Sequence, residues 1–285
     1  MFTCKVQNTK NNVLELTHNE SQFQIVKIEG LNPPNAQINI SNIAGMDGAK
    51  FNSSFVNSRN IVIYIKLNGD VEGNRIELYS FFRIKQWCKF YYKNQRRDVY
   101  IEGYVENVDC DLFSNNEIIQ ISILCPQPYF KDVDVIIDDI SKTVAAFEFP
   151  FAIDSNGIEF STFEQSRIST ITNNSEIENG LTIKINVLSN CNKIQIRNTT
   201  TSETFTINYN CIKNDIITIN TYKGEKSVTL KRGTTTTNLF TSLSNNSKFF
   251  QLEIGNNFFS YLVDDGTNDG AVEILFEHNT IYGGV

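Results

Sequence analysis

The chain has 285 residues, with 25 lysines and arginines against 32 aspartates and glutamates, and a formal net charge of −7 at pH 7. A nucleic-acid-binding protein needs a basic face that displaces counterions, so this acidic balance argues against that class. It leaves room for a passive conduit for DNA, because like charge on a wall prevents sticking. Hydrophobic residues make up 40% of the chain, so a large core can form, and the length favours two domains.

Neither a leader nor a membrane segment is indicated by the sequence. The first residues, MFTCKVQNTKN, contain no apolar stretch followed by a small-residue cleavage site. No window approaches the roughly 20 apolar residues of a membrane-spanning helix. The six cysteines are scattered and form no CxxC pair, so we expect reduced side chains, most of them in the core of a chain that folds in a cytoplasm.

The N-terminal third predicts short strands separated by turns. Apolar residues that alternate or run together predict strands at 13–16, 23–28, 36–40 and 61–67. Gly30 and the dipeptide Pro33-Pro34 break the chain, and Asp47-Gly48 is a strong turn signal. The glycines here do not lie between a strand and a helix, so a phosphate-binding loop is not indicated.

One stretch, EGNRIELYSFFRIKQ at 72–86, predicts a helix over about 74–87. Asn74 would cap its N-terminus, with Glu77 three residues later as in a capping box. Apolar residues at a helical period then form one face, namely Leu78, Phe81, Phe82, Ile84 and Cys88. Because the surrounding segments predict strands, we expect this face to pack across a sheet as core.

Two aromatic-rich runs after the helix predict a long β-hairpin with a basic tip. The arms are 87–92 and 98–106, and the turn is KNQRR. An exposed aromatic hairpin is an aggregation liability in a monomer, which favours a partner surface; packing in the chain's own core is the alternative. The candidate interface residues are Trp87, Phe90, Tyr91, Tyr92, Arg96, Arg97, Tyr100 and Tyr104.

The middle of the chain predicts a further strand and then a boundary. Residues 118–124 are continuously apolar, and 132–140, DVDVIIDDI, alternate acids with aliphatics as a half-exposed strand does. A calcium loop would need a turn with a central glycine, which this run lacks. We place a linker at 131–145, between a first domain at 1–130 and a second at 146–285.

From Leu181 onward, apolar and polar residues alternate in short runs separated by turns of Asn, Gly, Thr and Asp. The runs recur at roughly 8–12 residues, the spacing of a β-sandwich or jelly roll. The predicted strands lie around 181–187, 194–196, 205–209, 217–219, 228–230, 250–254, 259–263 and 272–276. No motif recurs, so a propeller or solenoid is not indicated. The predicted fold class is mainly β, with two β-rich domains and one helix in the first.

Residues that could perform catalysis do not form a recognisable motif. His18 and His278 lie far apart in polar segments that we expect to be exposed, and the chain has no GxSxG, HExxH or Walker loop. A glycosidase needs only two carboxylates, so the 32 acids leave that class open. We expect no catalytic, cofactor or metal site. A jelly roll can bind sugars through aromatic side chains, but the single tryptophan, Trp87, lies in the first domain.

An ordered series of segments is similar to the pattern of a known family. In the first half these segments are 30–51, 59–82, the CPQPYF of 125–130, and 147–151, which resembles the entry to a second domain. Weaker similarities follow at 186–203, 215–221, 226–228 and 255–259. In this order the segments resemble the distal tail proteins of siphophages, a phage tail-component family. Ser202 and Asn220 stand where the family usually has Gly and Asp.

The resemblance implies a non-enzymatic structural protein of the virion, located at the tail tip and made in the host cytoplasm. It implies a hexameric ring that joins the tail tube to tail-hub or baseplate proteins around a channel for DNA, which passes without specific binding. Residues 1–130 would be the ring-forming belt domain, a split barrel or sandwich, and 146–285 a galectin-like β-sandwich. The aromatic hairpin would pair or pack against the neighbouring protomer. The alternative is a receptor- or cell-wall-glycan-binding module in the second domain, so a carbohydrate partner stays open.

Overall fold

The computed structural model describes residues 2–19, 21–45, 47–112, 118–140 and 168–285. These residues form mainly antiparallel β-structure with one α-helix, so the predicted mainly-β fold class is confirmed.

The chain divides into two compact units, one formed by Met1–Val133 with Ile281–Val285 and the other by Asp134–Thr280. The last five residues therefore belong to the first unit. The final part of the predicted linker, 141–145, and the family-like segment 147–151 lie outside the described residues. The linear domain boundaries stay a prediction.

The first unit contains one helix and a sheet that closes on itself. Its elements are β1 (Thr3–Asn8), β2 (Val13–Leu16), β3 (Phe23–Glu29), β4 (Ala36–Asn42), β5 (Ala49–Val56), β6 (Arg59–Leu67), α1 (Val71–Phe81), β7 (Trp87–Lys93), β8 (Asp98–Cys110), β9 (Ile118–Cys125) and the start of β10 (Phe130–Asp139). Seven strands form an antiparallel sheet in the order β2-β1-β7-β8-β9-β6-β3. A parallel bridge between Thr17 and Gln24 brings the two outer strands together, which closes the sheet.

The core of this unit lies inside the closed sheet. In β6 every second residue is buried, and its neighbour β9 buries the facing isoleucines. The central isoleucines are Ile61, Ile63, Ile65, Ile119, Ile121 and Ile123. Each contributes about 1.5–3 kcal/mol to folding by leaving water.

Helix α1 begins at Val71 and ends at Phe81, so the predicted bounds of about 74–87 are wrong at both ends. Asp70, not Asn74, caps the helix, because an Oδ1 atom of Asp70 accepts a hydrogen bond from the Gly73 N–H at 3.1 Å. Asn74 lies inside the first turn, where its backbone N–H already donates to the Asp70 carbonyl. The capping-box interpretation therefore fails, although a short polar side chain does supply the cap.

The predicted apolar face of the helix divides at the helix end. Leu78 and Phe82 are buried in the core of the first unit, as expected. Lys85 has a positive φ of 66°, which diverts the chain from the helical path. Ile84 is consequently exposed, and Cys88 is buried as part of β7.

The second unit is a sandwich of two antiparallel sheets. Its strands, besides the rest of β10, are β11 (Ser169–Asn173), β12 (Thr182–Val187), β13 (Cys191–Asn198), β14 (Glu203–Cys211), β15 (Ile216–Asn220), β16 (Ser227–Arg232), β17 (Thr235–Asn238), β18 (Gly255–Val263) and β19 (Val272–Tyr282). One sheet has the order β17-β16-β15-β12-β19 and the other β11-β18-β13-β14. Buried residues of both sheets form one cluster, in which the rings of Phe259 and Phe276 lie 4.9 Å apart. The two-layer packing agrees with the predicted sandwich.

The run 250–254 is not a strand, contrary to the prediction. Phe250 and Leu252 are buried, but only an isolated bridge joins Leu252 to Asn179, and Ile254 is exposed. A loop that passes over the core buries apolar side chains as a strand does, without forming a ladder.

The alternation of acids and aliphatics at 132–140, by contrast, corresponds to a strand, β10, whose middle residues are largely exposed.

Candidate assembly surface

The predicted aromatic hairpin exists as β7 and β8, which pair from Trp87 opposite Tyr104 to Lys93 opposite Asp98. Its outer edges are already occupied, since β1 pairs with β7 while β9 and β10 pair with β8. A neighbouring protomer therefore cannot add a strand to either arm, and that part of the expectation is wrong. Only side-chain packing from the hairpin remains available to a partner.

The eight predicted interface residues divide by burial. Phe90 is fully buried in the core and is not available to a neighbour. Tyr104 is 49% exposed and Arg96, at the tip, is also exposed. The remaining members are half-buried, namely Trp87, Tyr91, Tyr92, Arg97 and Tyr100. Their role in a ring interface stays a prediction.

The aromatic arms are held by contacts within the chain. The Lys89 ammonium lies 3.5 Å from the ring centroid of Tyr100 and 5.4 Å from that of Tyr91. These are cation–π distances, and burial lowers the pKa of Lys89. The Tyr91 hydroxyl donates to Gln7 Oε1 at 3.1 Å, and burial raises the pKa of Tyr91. These contacts within the chain hold the aromatic side chains of the hairpin in place without a partner protein.

The hairpin tip is also organised internally. Asn94 Oδ1 accepts hydrogen bonds from the backbone N–H groups of Arg96 at 2.8 Å and Arg97 at 2.9 Å. The Arg97 guanidinium stacks 4.2 Å from the Tyr282 ring and donates to the Gly284 carbonyl. Of the two tip arginines, Arg96 is therefore the one directed to solvent.

A second hairpin, β4–β5, presents the apolar surface that the aromatic hairpin does not. In the described residues its two strands pair only with each other. Ile40 lies opposite Phe51, and Ile38 is two residues from Ile40, so the three side chains share one face. Their exposed fractions are 61% for Ile38, 59% for Ile40 and 60% for Phe51. The alternation at 36–40 predicted a strand, but nothing in the pattern indicated that its apolar side would face solvent.

Arg59 brings three of the family-like segments together inside the first unit. Its Nε donates to the Pro128 carbonyl at 2.6 Å, and its Nη1 donates to the carbonyls of Gly30 at 2.5 Å and Asn32 at 2.9 Å. The guanidinium also lies 4.7 Å from the Phe130 ring. Burial lowers the pKa of Arg59, and backbone carbonyls satisfy its donors.

The C-terminal residues attach at the same place. Arg59 Nη2 donates to the Gly283 carbonyl, and the backbone N–H of Val285 donates to the Leu31 carbonyl at 3.1 Å. A Cβ on Gly284 would meet the backbone nitrogen of Pro33 at 2.9 Å, so only glycine permits this close approach. The tail is thus part of the first unit's packing.

One histidine expectation holds and the other is wrong. His18 is exposed, whereas His278 is only 1% exposed. The His278 Nε2 atom lies 3.5 Å from Asp138 Oδ2. Burial lowers the pKa of His278 more than the Asp138 carboxylate raises it, which favours the neutral imidazole. The polar neighbours of His278 in the sequence give no sign that strand β19 turns this side chain inward.

Other features of the described chain offer little for ligand chemistry. Two surface hollows of about 250 Å³, both in the first unit, are lined mainly by polar side chains. No group of three or more His, Cys, Asp and Glu side chains in the described ranges could hold a metal ion. In the same ranges, no helix has both the length and the apolar character needed to cross a membrane.

All six cysteines are free, as predicted, and five of them are buried.

Residues 174–279 match the model of the siphovirus-type tail component, C-terminal domain. The resemblance to the siphophage distal tail proteins is confirmed. A comparison of the whole sequence with curated proteins finds no match.

Solved structures of phage tail proteins match over almost the full length. SPP1 Dit (gp 19.1), described as a paradigm of the hub adsorption apparatus in phages that infect Gram-positive bacteria, has a TM-score of 0.69 at 11% identity, with 98% of this chain and 99% of that chain covered. A chain of the activated phage P2 baseplate with calcium has a TM-score of 0.58 at 12% identity, covering 98% of each chain. The strontium form has a TM-score of 0.57 at 13% identity, also with 98% of each chain covered. At such identities the likeness establishes a shared fold.

Proposed function

We propose that this chain forms a hexameric ring at the distal end of a phage tail, where it joins the tail tube to tail-hub or baseplate proteins. The ring surrounds the channel that DNA crosses, and the net charge of −7 suits a wall that does not retain DNA. The full-length likeness to the SPP1 hub protein supports this assignment. The protein is synthesised in the host cytoplasm and acts in the virion, with no catalytic step, cofactor or metal.

In this proposal the first unit forms the ring, and the second is a galectin-like sandwich outside it. The second unit's two-sheet architecture supports a galectin-like assignment. A glycan-binding role for that unit stays a prediction.

The observation that carries the ring proposal is the apolar face of the β4–β5 hairpin. An isolated two-stranded hairpin is marginally stable in water, and three large apolar side chains on one exposed face favour aggregation. Ile38, Ile40 and Phe51 are each about three-fifths exposed, whereas the other face of the hairpin carries Asn39 and Ser53 and a single large apolar side chain, Phe55, which is 49% exposed. Such a surface requires a cover.

The cover that we propose is the adjacent copy of the chain. In a closed ring of head-to-tail contacts every copy presents the same hairpin, so the Ile38, Ile40 and Phe51 face is covered in every copy. The exposed members of the aromatic hairpin, Tyr104 and Arg96, supply a second set of side chains for this contact.

A charge on the apolar face tests this proposal. We expect Phe51→Glu to abolish assembly because the carboxylate would be desolvated in the contact, while the thermal unfolding of the protomer stays unchanged. Ser53→Glu places the same charge on the opposite face and should assemble as the unmodified chain does. Light scattering of the three proteins measures the mass. A Phe51→Glu protein with the unmodified chain's assembled mass would contradict the role of this face.

A further inference from the structure

Two cysteines of the second unit lie directly opposite each other across a strand pair. Cys191 is the first residue of β13, Cys211 is the last residue of β14, and they lie opposite each other at the strand ends, next to a register shift between Cys191 and Lys193. Opposite residues in such ladders have Cα atoms about 4.5–5.5 Å apart. Disulfides span Cα distances of about 4.4–6.8 Å, so a directly opposite pair is compatible with a bridge.

The two thiols are already in contact. A hydrogen bond from Cys211 to the Cys191 sulfur lowers the pKa of Cys191 and raises that of Cys211. This direction favours Cys191 as the first of the two thiols to ionise. Both side chains are buried, but their neighbours Asn190, Asn192 and Ile212 are exposed, so the pair lies just beneath the surface.

We propose that Cys191 and Cys211 are a disulfide-forming modification site that reacts with small-molecule disulfides. The Cys191 thiolate attacks one sulfur of oxidised glutathione, forms a mixed disulfide and expels one glutathione thiolate. The Cys211 thiolate then attacks the Cys191 sulfur and expels the second glutathione. The two cysteines lose two electrons and two protons in total, and the two glutathione molecules gain them.

The first unit supplies a natural comparison. Cys88 pairs with Gly103 across β7 and β8, and a Cβ at Gly103 would lie 2.8 Å from the Cys125 sulfur of β9. Cys88 and Cys125 thus flank Gly103 and are separated by two strand spacings, about 9–10 Å. That separation exceeds the reach of a disulfide, although both thiols are as buried as the proposed pair.

The bridge would join the strand ends of the β13–β14 hairpin and close a loop of about 20 residues. A cross-link of this kind restricts the unfolded chain more than the folded one. We therefore expect oxidation to raise the midpoint of thermal unfolding of the full-length chain by about 5–10 °C. Cys211→Ala should show no such rise, because it can form only the mixed disulfide.

Peptide mapping identifies the bond. Trypsin separates the two cysteines into the peptides 185–193 and 198–213, so a bridge appears as a cross-linked pair in the native protein treated with oxidised glutathione. We expect this pair to form and to disappear on reduction with dithiothreitol, with Cys88 and Cys125 unlinked. Reduced Cys191 and Cys211 after treatment, or glutathione left on Cys191 without transfer to Cys211, would overturn the proposal.

Discussion

At the scale of single residues, Arg59 joins segments of the first unit that are far apart in the sequence. It donates to carbonyls from the loop after β3, the CPQPYF segment and the C-terminal tail. The planar guanidinium has five donors in fixed directions, which suits a site lined by several carbonyl oxygens. Three segments that are far apart in the sequence thereby share one buried side chain.

We expect Arg59→Lys to lower the free energy of unfolding of the first unit by about 2–4 kcal/mol. A lysine keeps the charge, but its single ammonium cannot reach all of these carbonyls, and each buried acceptor that loses its partner costs about 1–3 kcal/mol. Urea unfolding at neutral pH measures the change. Arg96→Lys, at an exposed site, should unfold as the unmodified chain does. Equal stability of both variants would contradict the role of Arg59.

We expect His278 to make the stability of the second unit depend on pH. Its pKa in the folded chain lies below the ordinary value of 6.5, because burial disfavours the charged form. At a pH between the lowered pKa of the folded chain and 6.5, the unfolded chain binds more protons than the folded one. The free energy of unfolding therefore falls as the pH decreases below 6.5. The facing charged group is Asp138, whose attraction for a proton on the imidazole opposes the shift without reversing it.

We expect urea midpoints measured from about pH 7 to about pH 5 to decrease for the unmodified chain. His278→Asn should remove most of this dependence of the urea midpoint on pH, which we call the slope, whatever its effect on stability at pH 7. His18→Asn, at an exposed position, should retain it. A slope that is the same in all three proteins would show that His278 does not cause it.

At the scale of elements, apolar alternation predicted most strands because alternate burial is local. It located β6, β9, β12 and β15 closely, where one face of each strand packs into a core. It missed β17, a strand of threonines and asparagine with no buried residue. It also mistook the buried loop around Phe250 for a strand, because burial by itself does not require a ladder.

The helix shows a different limit of sequence analysis. The sequence analysis named Asn74 as the cap, whereas Asp70 caps the helix in the structure. The Asn74 side chain is engaged elsewhere and does not cap the helix. Its Oδ1 accepts a hydrogen bond from Gln22 at 2.7 Å, and its Nδ2 donates to the Asn68 carbonyl at 2.6 Å. Such contacts over 52 residues have no signature in a local pattern.

The two hairpins show why the candidate surface was only partly predictable. The aromatic hairpin looked exposed, but β1, β9 and β10 cover its edges and Phe90 lies in the core. Of the β4–β5 hairpin the sequence pattern predicted only a strand at 36–40, and in the structure no third strand covers the hairpin within the described residues. Which apolar face is covered depends on strand order, and strand order is set by long-range pairing.

At the scale of the whole molecule, residues 281–285 return to the first unit, where Arg59 and Arg97 bind their carbonyls. No composition change marks this return, so the sequence analysis assigned the tail to the second domain. The ordered series of family-like segments was more informative than any one motif, and the match at 174–279 together with the full-length likeness to SPP1 Dit agrees with it.

The most direct test of the proposed ring is the molar mass of the purified, unmodified chain by light scattering, with negative-stain images of the same peak. The account predicts a mass about six times 32.5 kDa and closed rings with a central hole. A mass of one protomer at every concentration, with no rings in the images, would contradict it.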